Sequence, residues 1–365
     1  VWTDRFGTGS DGAYAPSTGT NAPTDSACTG TINTTSLTAT NAGFAIGQLI
    51  LIHQTQGTGA GQWELNKIAD YTAGTITTAY PLSYGYATGA QVLVMAQFSS
   101  ANIAGGVTIT AKSWDGTVGG IYGFFCNGTF NGSGTLNLNA GYRGGAMAGD
   151  GQPSYCGEGT VGASARQNGA NGNGAGGGFQ GGVGAGGGGG GHSAAGGGGA
   201  NAEGIGGAGG GSAGNAGLTI MVMGGGGGGG YYSPDISGSA GAGGNGGGIF
   251  LIIAKAIDVS SMTINLNGSN GGGANYRNGY GGGGAGGSGL LKGQTIILGS
   301  NKITSSAGAA GTGGGSSGGA GGAGATGRIH ADYFLSITGT TSPTIDSTQD
   351  MSLADVSAGF FPFFM

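Results

Sequence analysis

The chain has 365 residues, of which 98 are Gly, and its formal net charge is −5. Only 7% of the residues are charged, against about a quarter in an ordinary globular domain. This composition gives no basic surface for nucleic acid, and the apolar runs at 249–254 and 360–365 are too short to cross a bilayer. The sequence begins at Val1 and contains no charged segment, apolar segment and cleavage site of a signal peptide, so such a peptide, if there was one, is already removed. We expect an extracellular or cell-surface protein, secreted after signal removal.

The N-terminal quarter of the chain predicts an arm followed by a compact β domain. Residues 1–28 are polar and rich in turn-forming Gly and Pro, which predicts an extended arm. Residues 29–96 alternate short apolar runs with Gly pairs and Pro81, a pattern typical of strands and turns. We therefore predict a small β-barrel or sandwich over 29–96. The exception is 62–70, where we expect one short helix.

An internal repeat dominates residues 97–345. The strand-like segments 119–125 and 135–139 recur at 247–253 and 263–267, at one offset without a gap (247 − 119 = 128 and 263 − 135 = 128). A weaker copy begins at Gly289, the run 218–223 predicts an extra strand, and 327–333 predicts a final one. Two strands cannot bury an apolar face alone, so the units must stack.

Each repeat unit continues into glycine, which could form a flexible linker, a collagen helix or packed polyglycine helices. Flexible linker is the usual interpretation of such composition. Collagen requires Gly at every third position and abundant Pro, whereas this chain has seven Pro and runs such as 186–191 and 224–230. Because stacked units would place their glycine segments side by side, we predict packed extended helices with three residues per turn, called polyglycine II. The fold class is thus all-β with a polyglycine bundle and almost no α-helix.

The strand-plus-glycine repeat and the terminal segment Gly327-Arg328-Ile329-x-x-Asp332-Tyr333 resemble bacterial glycine-rich surface proteins. The packed polyglycine is similar to that of phage tail-fibre tip adhesins and, more distantly, of the glycine-rich antifreeze proteins of arthropods. In the adhesins, loops between the polyglycine helices carry receptor specificity. The resemblance therefore implies adhesive loops here at Tyr142, Arg143, Tyr231, Tyr232, Tyr276, Arg277 and Tyr280.

Catalytic and cofactor motifs occur only by chance in this composition. Two G-x-S-x-G matches, at 210–214 and 315–319, lie inside low-complexity glycine and not at a strand-to-helix turn. The histidines His53, His192 and His330 are scattered, so no metal site is expected. We expect no enzyme, no catalytic residue and no cofactor.

Cysteines and asparagines leave alternatives open. Cys28, Cys126 and Cys156 are an odd number, which allows either a Cys126–Cys156 disulfide with one free thiol or three buried thiols. Asn33, Asn127, Asn131 and Asn267 begin formal glycosylation sequons. Turn formation is the favoured interpretation for Asn127 and Asn131, because Asn-Gly is a strong hairpin signal.

These features favour a self-assembling subunit of a surface filament, sheath or fibre, whose partners are copies of itself. The C-terminal segment 346–365 ends in an aromatic tail, which either contacts a neighbouring subunit or folds back on its own chain. The candidate subunit contacts are Val1, Trp2, Phe6, Phe360, Phe361, Phe363, Phe364 and Met365. The alternatives are an adhesin or fibre-tip protein that binds a cell-surface glycan or protein receptor and, third, an ice-binding protein.

Overall fold

The computed structural model describes residues 5–179, 184–232, 238–275, 277–312 and 318–355. Over these residues the protein is all-β, as predicted, and its one helical element is the single 3-10 turn Met351–Leu353. Across the same ranges, no helix is long and apolar enough to span a membrane.

Seventeen strands are present in the described part of the chain. They are β1 (Ala13–Tyr14), β2 (Gly19–Asn21), β3 (Asp25–Gly30), β4 (Ser36–Ala39), β5 (Leu49–Gln54), β6 (Trp63–Thr72), β7 (Gly74–Thr78), β8 (Tyr86–Phe98), β9 (Ser100–Ile103), β10 (Thr108–Ala111), β11 (Ile121–Gly132), β12 (Thr135–Asn137), β13 (Ile249–Asp258), β14 (Thr263–Asn265), β15 (Ser288–Thr304), β16 (Arg328–Ser342) and β17 (Asp346–Gln349).

Strands β3 to β8 close into an antiparallel barrel of six strands. Their pairings run β3–β4–β7–β6–β5–β8 and return to β3, which confirms the predicted barrel. The barrel encloses an apolar cluster that includes Leu37, Ile50 and Val92. It begins at Asp25, so the last part of the predicted arm belongs to it.

The helix predicted over 62–70 is wrong, because this segment is most of strand β6. Asn66 and Ile68 are buried, whereas Lys67 and Ala69 are exposed. This two-residue alternation is the strand period, and it lets β6 pair with both β5 and β7. The pairing with two neighbours overrides the helical preference of the segment.

The remaining strands form a parallel coil with three faces. The first face stacks β17, β16 and the starts of β15, β13 and β11 on the end of β8. The second face stacks the middle parts of β16, β15, β13 and β11 on β9 and β1. The third face stacks the ends of β16 and β15 on β14, β12, β10 and β2. The front of the arm therefore lies along the coil through β1 and β2.

The register of the coil matches the offset seen in the sequence. Ile121 lies opposite Ile249 (249 − 121 = 128), and Thr135 lies opposite Thr263 (263 − 135 = 128). Ile249 in turn lies opposite Ser288, and Ser288 lies opposite Arg328. Segments that are far apart along the chain thus become neighbours about 4.8 Å apart in the sheet.

Alternate residues of the first face point to different apolar cores. Phe124 and Ile252 lie in the cluster inside the coil. Phe125 and Leu251 point outward and join a second cluster with barrel residues such as Leu93. Burying one such side chain contributes about 1.5–3 kcal/mol, so the outward cluster joins the barrel and the coil firmly.

The extra strand predicted over 218–223 is also wrong. Leu218 has a positive φ of 51°, which interrupts an extended strand, and the segment forms no ladder with another strand. Its apolar side chains Leu218, Met221 and Met223 instead pack into the outward cluster. The apolar run therefore supplies a contact surface for the barrel and not another strand.

Polar contacts join this 218–223 segment to the barrel. His53 on β5 is buried, its Nε2–H donates to the Met221 carbonyl at 2.7 Å, and its Nδ1 lies 2.9 Å from the Thr55 hydroxyl. Trp63 Nε1 donates to the Leu218 carbonyl at 2.9 Å. His192 is also buried, and its Nε2 lies 2.9 Å from the Ser288 hydroxyl.

Acid should destabilise the protein through these two histidines. Burial lowers the pKa of His53 to about 4, and burial together with the Arg328 charge lowers the pKa of His192 to about 3. Each histidine has the ordinary pKa of 6.5 in the unfolded state. Between pH 6.5 and the lowered pKa, the unfolded state therefore binds more protons than the folded state, and stability is lost as the pH falls through this range. The slope is roughly 1.4 kcal/mol per pH unit for each histidine.

We therefore expect the melting temperature to fall continuously from pH 6.5 to 4.5, and His53→Gln to make this dependence shallower. The control is Thr77→Gln, at an exposed position of β7 without a titratable group, and it should leave the pH dependence unchanged. A melting temperature that stays constant from pH 6.5 to 4.5 would contradict the buried neutral state of His53 and His192.

Candidate functional site

The glycine excursions all leave the coil at its third face and return at its first. They span residues 138–248, 266–287 and 305–327. The two ends of each excursion are hydrogen bonded to one another, from the amides of Gly248, Gly287 and Gly327 to the carbonyls of Leu138, Leu266 and Ser305 at 2.7–2.8 Å. The coil therefore fixes both ends of every glycine segment beside those of the next.

Residues 185–191 lie at the centre of the glycine region. Successive amides donate to three different neighbouring segments in rotation, so that every third residue returns to the same neighbour. Gly186 and Gly189 donate to residues 200 and 197, Gly187 and Gly190 to 280 and 283, and Gly188 and Gly191 to 176 and 173. None of these six glycines has a φ in the left-handed region.

The carbonyls of the same segment accept from three further segments with the same period. The donors to Gly186 and Gly189 are Gly207 and Gly210, those to Gly187 and Gly190 are Gly322 and Ala325, and those to Ala185 and Gly188 are Tyr231 and Gly228. Residues 185–191 are thus surrounded by six hydrogen-bonded segments. Segments 224–230 and 279–287 are surrounded in the same way, and we call this arrangement the glycine lattice.

The lattice leaves no room for side chains at its centre. A Cβ added to Gly188 would lie 2.1 Å from the Ala208 carbonyl oxygen, and one added to Gly282 would lie 1.8 Å from the Gly188 oxygen. Such contacts are with backbone, which cannot move aside as a flexible side chain can. Glycine is therefore required at these positions by space and not by backbone torsion.

The outer edge of the lattice is open. Within segment 196–200, residues Gly197 and Ala200 donate inward, but Gly198 is exposed and its amide has no backbone partner among the described residues. A Cβ at Gly198 would meet only one atom, the Gly207 oxygen at 3.8 Å. The Gly198 amide at this edge thus lacks the backbone partner that the amides of Gly186–Gly191 have inside the lattice.

Three of the seven predicted adhesive residues are inaccessible. Tyr142, Tyr231 and Tyr280 are buried, which contradicts a direct receptor contact for these three side chains. The Tyr142 hydroxyl donates to the Thr55 carbonyl, and the ring packs edge-on against Trp114. Large side chains of this kind fill the spaces where glycine segments end against the barrel and the coil.

The other predicted adhesive residues are more exposed. The Arg143 guanidinium is half-exposed and contacts the buried Glu158 carboxylate at 2.6 and 3.0 Å. Arg277 is exposed and lies 3.3 Å from Glu203, while Tyr232 is partly buried. Tyr276 lies outside the described residues.

The cysteines are separate free thiols. Cys28, Cys126 and Cys156 are all buried, which agrees with the alternative of three buried thiols and not with a Cys126–Cys156 disulfide. Burial raises the pKa of each thiol. Over the described ranges, no three His, Cys, Asp or Glu side chains are grouped so as to hold a metal ion.

Two surfaces were not anticipated from the sequence, because each combines residues distant along the chain. One is a polar cleft of about 410 Å³ between the arm and the barrel, where Asp11, Lys67 and the exposed ring of Tyr80 converge. The other is the outward side of the third face, a polar ladder. Its two columns are Thr108, Thr135 and Thr263, and Thr20, Thr110, Asn137, Asn265 and Thr304.

Alanine at the centre and at the edge of the lattice should have opposite effects. We expect Gly188→Ala to lower stability by about 1–3 kcal/mol or more, because the new methyl group overlaps a fixed carbonyl. Gly198→Ala has free space and should be neutral or stabilise by about 0.4–1 kcal/mol through lower entropy of the unfolded chain. Denaturant unfolding of the two variants measures this difference, and equal stability would contradict close packing at Gly188.

Comparisons with known proteins add no assignment to this geometry. No protein-family model matches the sequence, and no curated protein matches it either.

Proposed function

We propose that the chain is a structural protein of the cell surface or extracellular space, a subunit that assembles with copies of itself into a filament, sheath or fibre. The observation that carries this proposal is the glycine lattice. Its three-residue period is that of a polyglycine II helix, and neighbouring helices satisfy all the central amides. The coil then acts as a stacked repeat scaffold whose excursions supply the helices.

Such a lattice is suited to bearing mechanical load and not to catalysis or substrate binding. It contains no titratable group at its centre, and it excludes side chains that could bind a substrate. Its strength comes from many backbone hydrogen bonds, each contributing about 0.5–1.5 kcal/mol net. Low surface charge gives little repulsion between copies.

The open edge supplies a mode of assembly. A glycine segment from a second copy can accept from Gly198 in the way that Gly197 and Ala200 are already satisfied within the chain. An edge that binds a different surface of the next copy generates an open polymer unless the rotation closes a ring. Unpaired backbone at a sheet edge promotes association for the same physical reason.

Assembly can be tested at this edge without disturbing the fold. We expect the full chain to form filaments or sheets in negative-stain microscopy, and Gly198→Glu to abolish them, because a charged side chain prevents close approach. The matched control is Gly169→Glu, at an exposed glycine outside the lattice with no atom within 4 Å of an added Cβ. Normal assembly of Gly198→Glu would contradict assembly through the lattice edge.

The terminal contact remains a separate prediction with its own variant. Phe6 is buried within its own chain in the outward cluster, so it is not free to contact a neighbour in this structure. Val1, Trp2 and the tail residues Phe360–Met365 lie outside the described residues. A chain that ends at Asp355 should still assemble if the lattice edge suffices, and loss of assembly would assign the contact to the tail.

The polar ladder favours ice binding as a second candidate function. Its rungs repeat at the strand spacing of about 4.8 Å, and the hydroxyls of Thr108, Thr135 and Thr263 have no hydrogen-bond partner among the described residues. A regular array of hydroxyls at this spacing can order water in a lattice. We expect a measurable gap between melting and freezing temperatures that Thr263→Tyr removes and Thr77→Tyr, on the barrel, does not. Absence of a gap in the unmodified protein would exclude this candidate.

A further inference from the structure

Four polar side chains form a compact group on the outward side of the first face, near the end of the coil. Lys292 on β15 and Asp332 on β16 are direct partners in the parallel ladder. The Lys292 ammonium contacts Oδ2 of Asp332, and both side chains are largely buried, with 24% and 16% of their surface exposed. The two groups are thus held together by adjacent strands and not by flexible loops.

The second carboxylate oxygen of Asp332 contacts a histidine. Nε2 of His330 lies 3.1 Å from Oδ1 of Asp332, and Nδ1 lies 2.8 Å from Oδ2 of Asp346 on β17. The His330 side chain is almost fully buried. Burial alone would lower the pKa of His330, but the hydrogen bonds and charges of Asp332 and Asp346 outweigh it and raise the pKa. The two carboxylates therefore favour the protonated form of the ring.

Buried apolar residues of the coil lie beside this group. In the ladder, Lys292 lies beside Ile253 and His330 lies beside Leu290, and both apolar residues are buried. Leu353 belongs to the same apolar cluster and follows the end of β17 closely. Separated charges are costly in such surroundings, so a neutral product of the same groups would be favoured.

We propose that Lys292 and Asp332 condense to an intramolecular isopeptide bond, with His330 as the catalytic proton relay. This inference goes beyond the proposed function and does not depend on assembly.

The reaction is an amide condensation. The Lys292 ammonium first passes one proton to Oδ2 of Asp332, which it contacts, and the neutral amine then attacks Cγ. A C–N bond forms, the bond from Cγ to Oδ1 breaks, and Oδ1 leaves as water. His330 gives Oδ1 its two protons in turn and regains one from the attacking nitrogen and one from Oδ2, so it is unchanged overall and both hydrogens of the water come from the ammonium. Asp346 positions the ring through Nδ1. No oxidant, reductant or cofactor is consumed.

A second lysine–aspartate pair provides an internal comparison. Lys112 Nζ lies 2.9 and 2.8 Å from the two carboxylate oxygens of Asp25, whose side chain is buried. Among the described residues, no histidine or carboxylic acid forms a hydrogen bond with this carboxylate. The pair therefore has the proximity but not the proton relay, and it should remain ionic.

The cross-link would join two adjacent turns of the coil covalently. Lys292 belongs to the strand that follows the second long glycine excursion, and Asp332 belongs to the strand that follows the third. The bond would close the third excursion at its base, so that force on the lattice could not separate β15 from β16.

Intact-mass spectrometry of the full chain tests the proposal. We expect the purified protein to be lighter than its sequence mass by one water, and peptide mapping to show Lys292 joined to Asp332. Lys292→Arg and Asp332→Ala should both have the full sequence mass. Lys112 and Asp25 should be recovered in separate peptides.

The relay is tested by following the mass of His330→Gln with time after refolding. General acid–base catalysis commonly contributes about 100-fold or more, so we expect bond formation to slow by at least that factor. The full sequence mass in the unmodified protein would overturn the proposal. Bond formation at an unchanged rate in His330→Gln, or a cross-link also between Lys112 and Asp25, would overturn the role given to His330.

Discussion

The structure depends on the need of each glycine amide and carbonyl in the lattice for a hydrogen-bond partner. Ordering one backbone residue costs about 1–2 kcal/mol, and glycine loses more freedom than any other residue. A glycine segment has no side chains whose burial could offset this cost. Residues 185–191 meet the requirement by using six neighbours, three for their amides and three for their carbonyls. One segment alone would remain disordered, so the lattice forms only as a whole.

The parallel coil makes this collective step feasible. Its strands place the ends of each excursion side by side, as the bonds from Gly248 to Leu138 and from Gly287 to Leu266 show. A loop whose ends are already held together loses less entropy when it packs. The outward cluster then attaches the barrel to the same coil, with His53 and Met221 completing the junction. Apolar burial in the coil and barrel thus supplies the stability that the glycine segments cannot generate themselves.

The sequence was informative where side chains determine structure. The two copies at an offset of 128 residues are adjacent in the coil, and the alternating runs at 29–96 form most of a barrel. It was misleading for short apolar runs such as 218–223, because periodicity cannot distinguish a strand from a segment that packs its side chains against another surface. It also could not predict the burial of Tyr142 or Tyr231, since an aromatic residue at a glycine turn is compatible with either a binding loop or a filled space.

The pairing of glycine segments inside the lattice could not be predicted from the sequence either, but for a different reason. Which glycine segments become neighbours depends on backbone pairing alone, and a run of identical residues carries no register. The group formed by Lys292, His330, Asp332 and Asp346 was missed because it requires the exact register of β15, β16 and β17. A pattern of side chains establishes that strands stack, but the polar contacts between them follow only from the coordinates.

Amide hydrogen exchange of the glycine segments tests the central claim most directly. If the lattice is an ordered, hydrogen-bonded part of the fold, the amides of 185–191, 224–230 and 279–287 should exchange as slowly as those of β13 and β15. The amide of Gly198 at the open edge should exchange rapidly in the unassembled protein. Exchange of the three central segments at the rate of an unstructured chain would contradict the account.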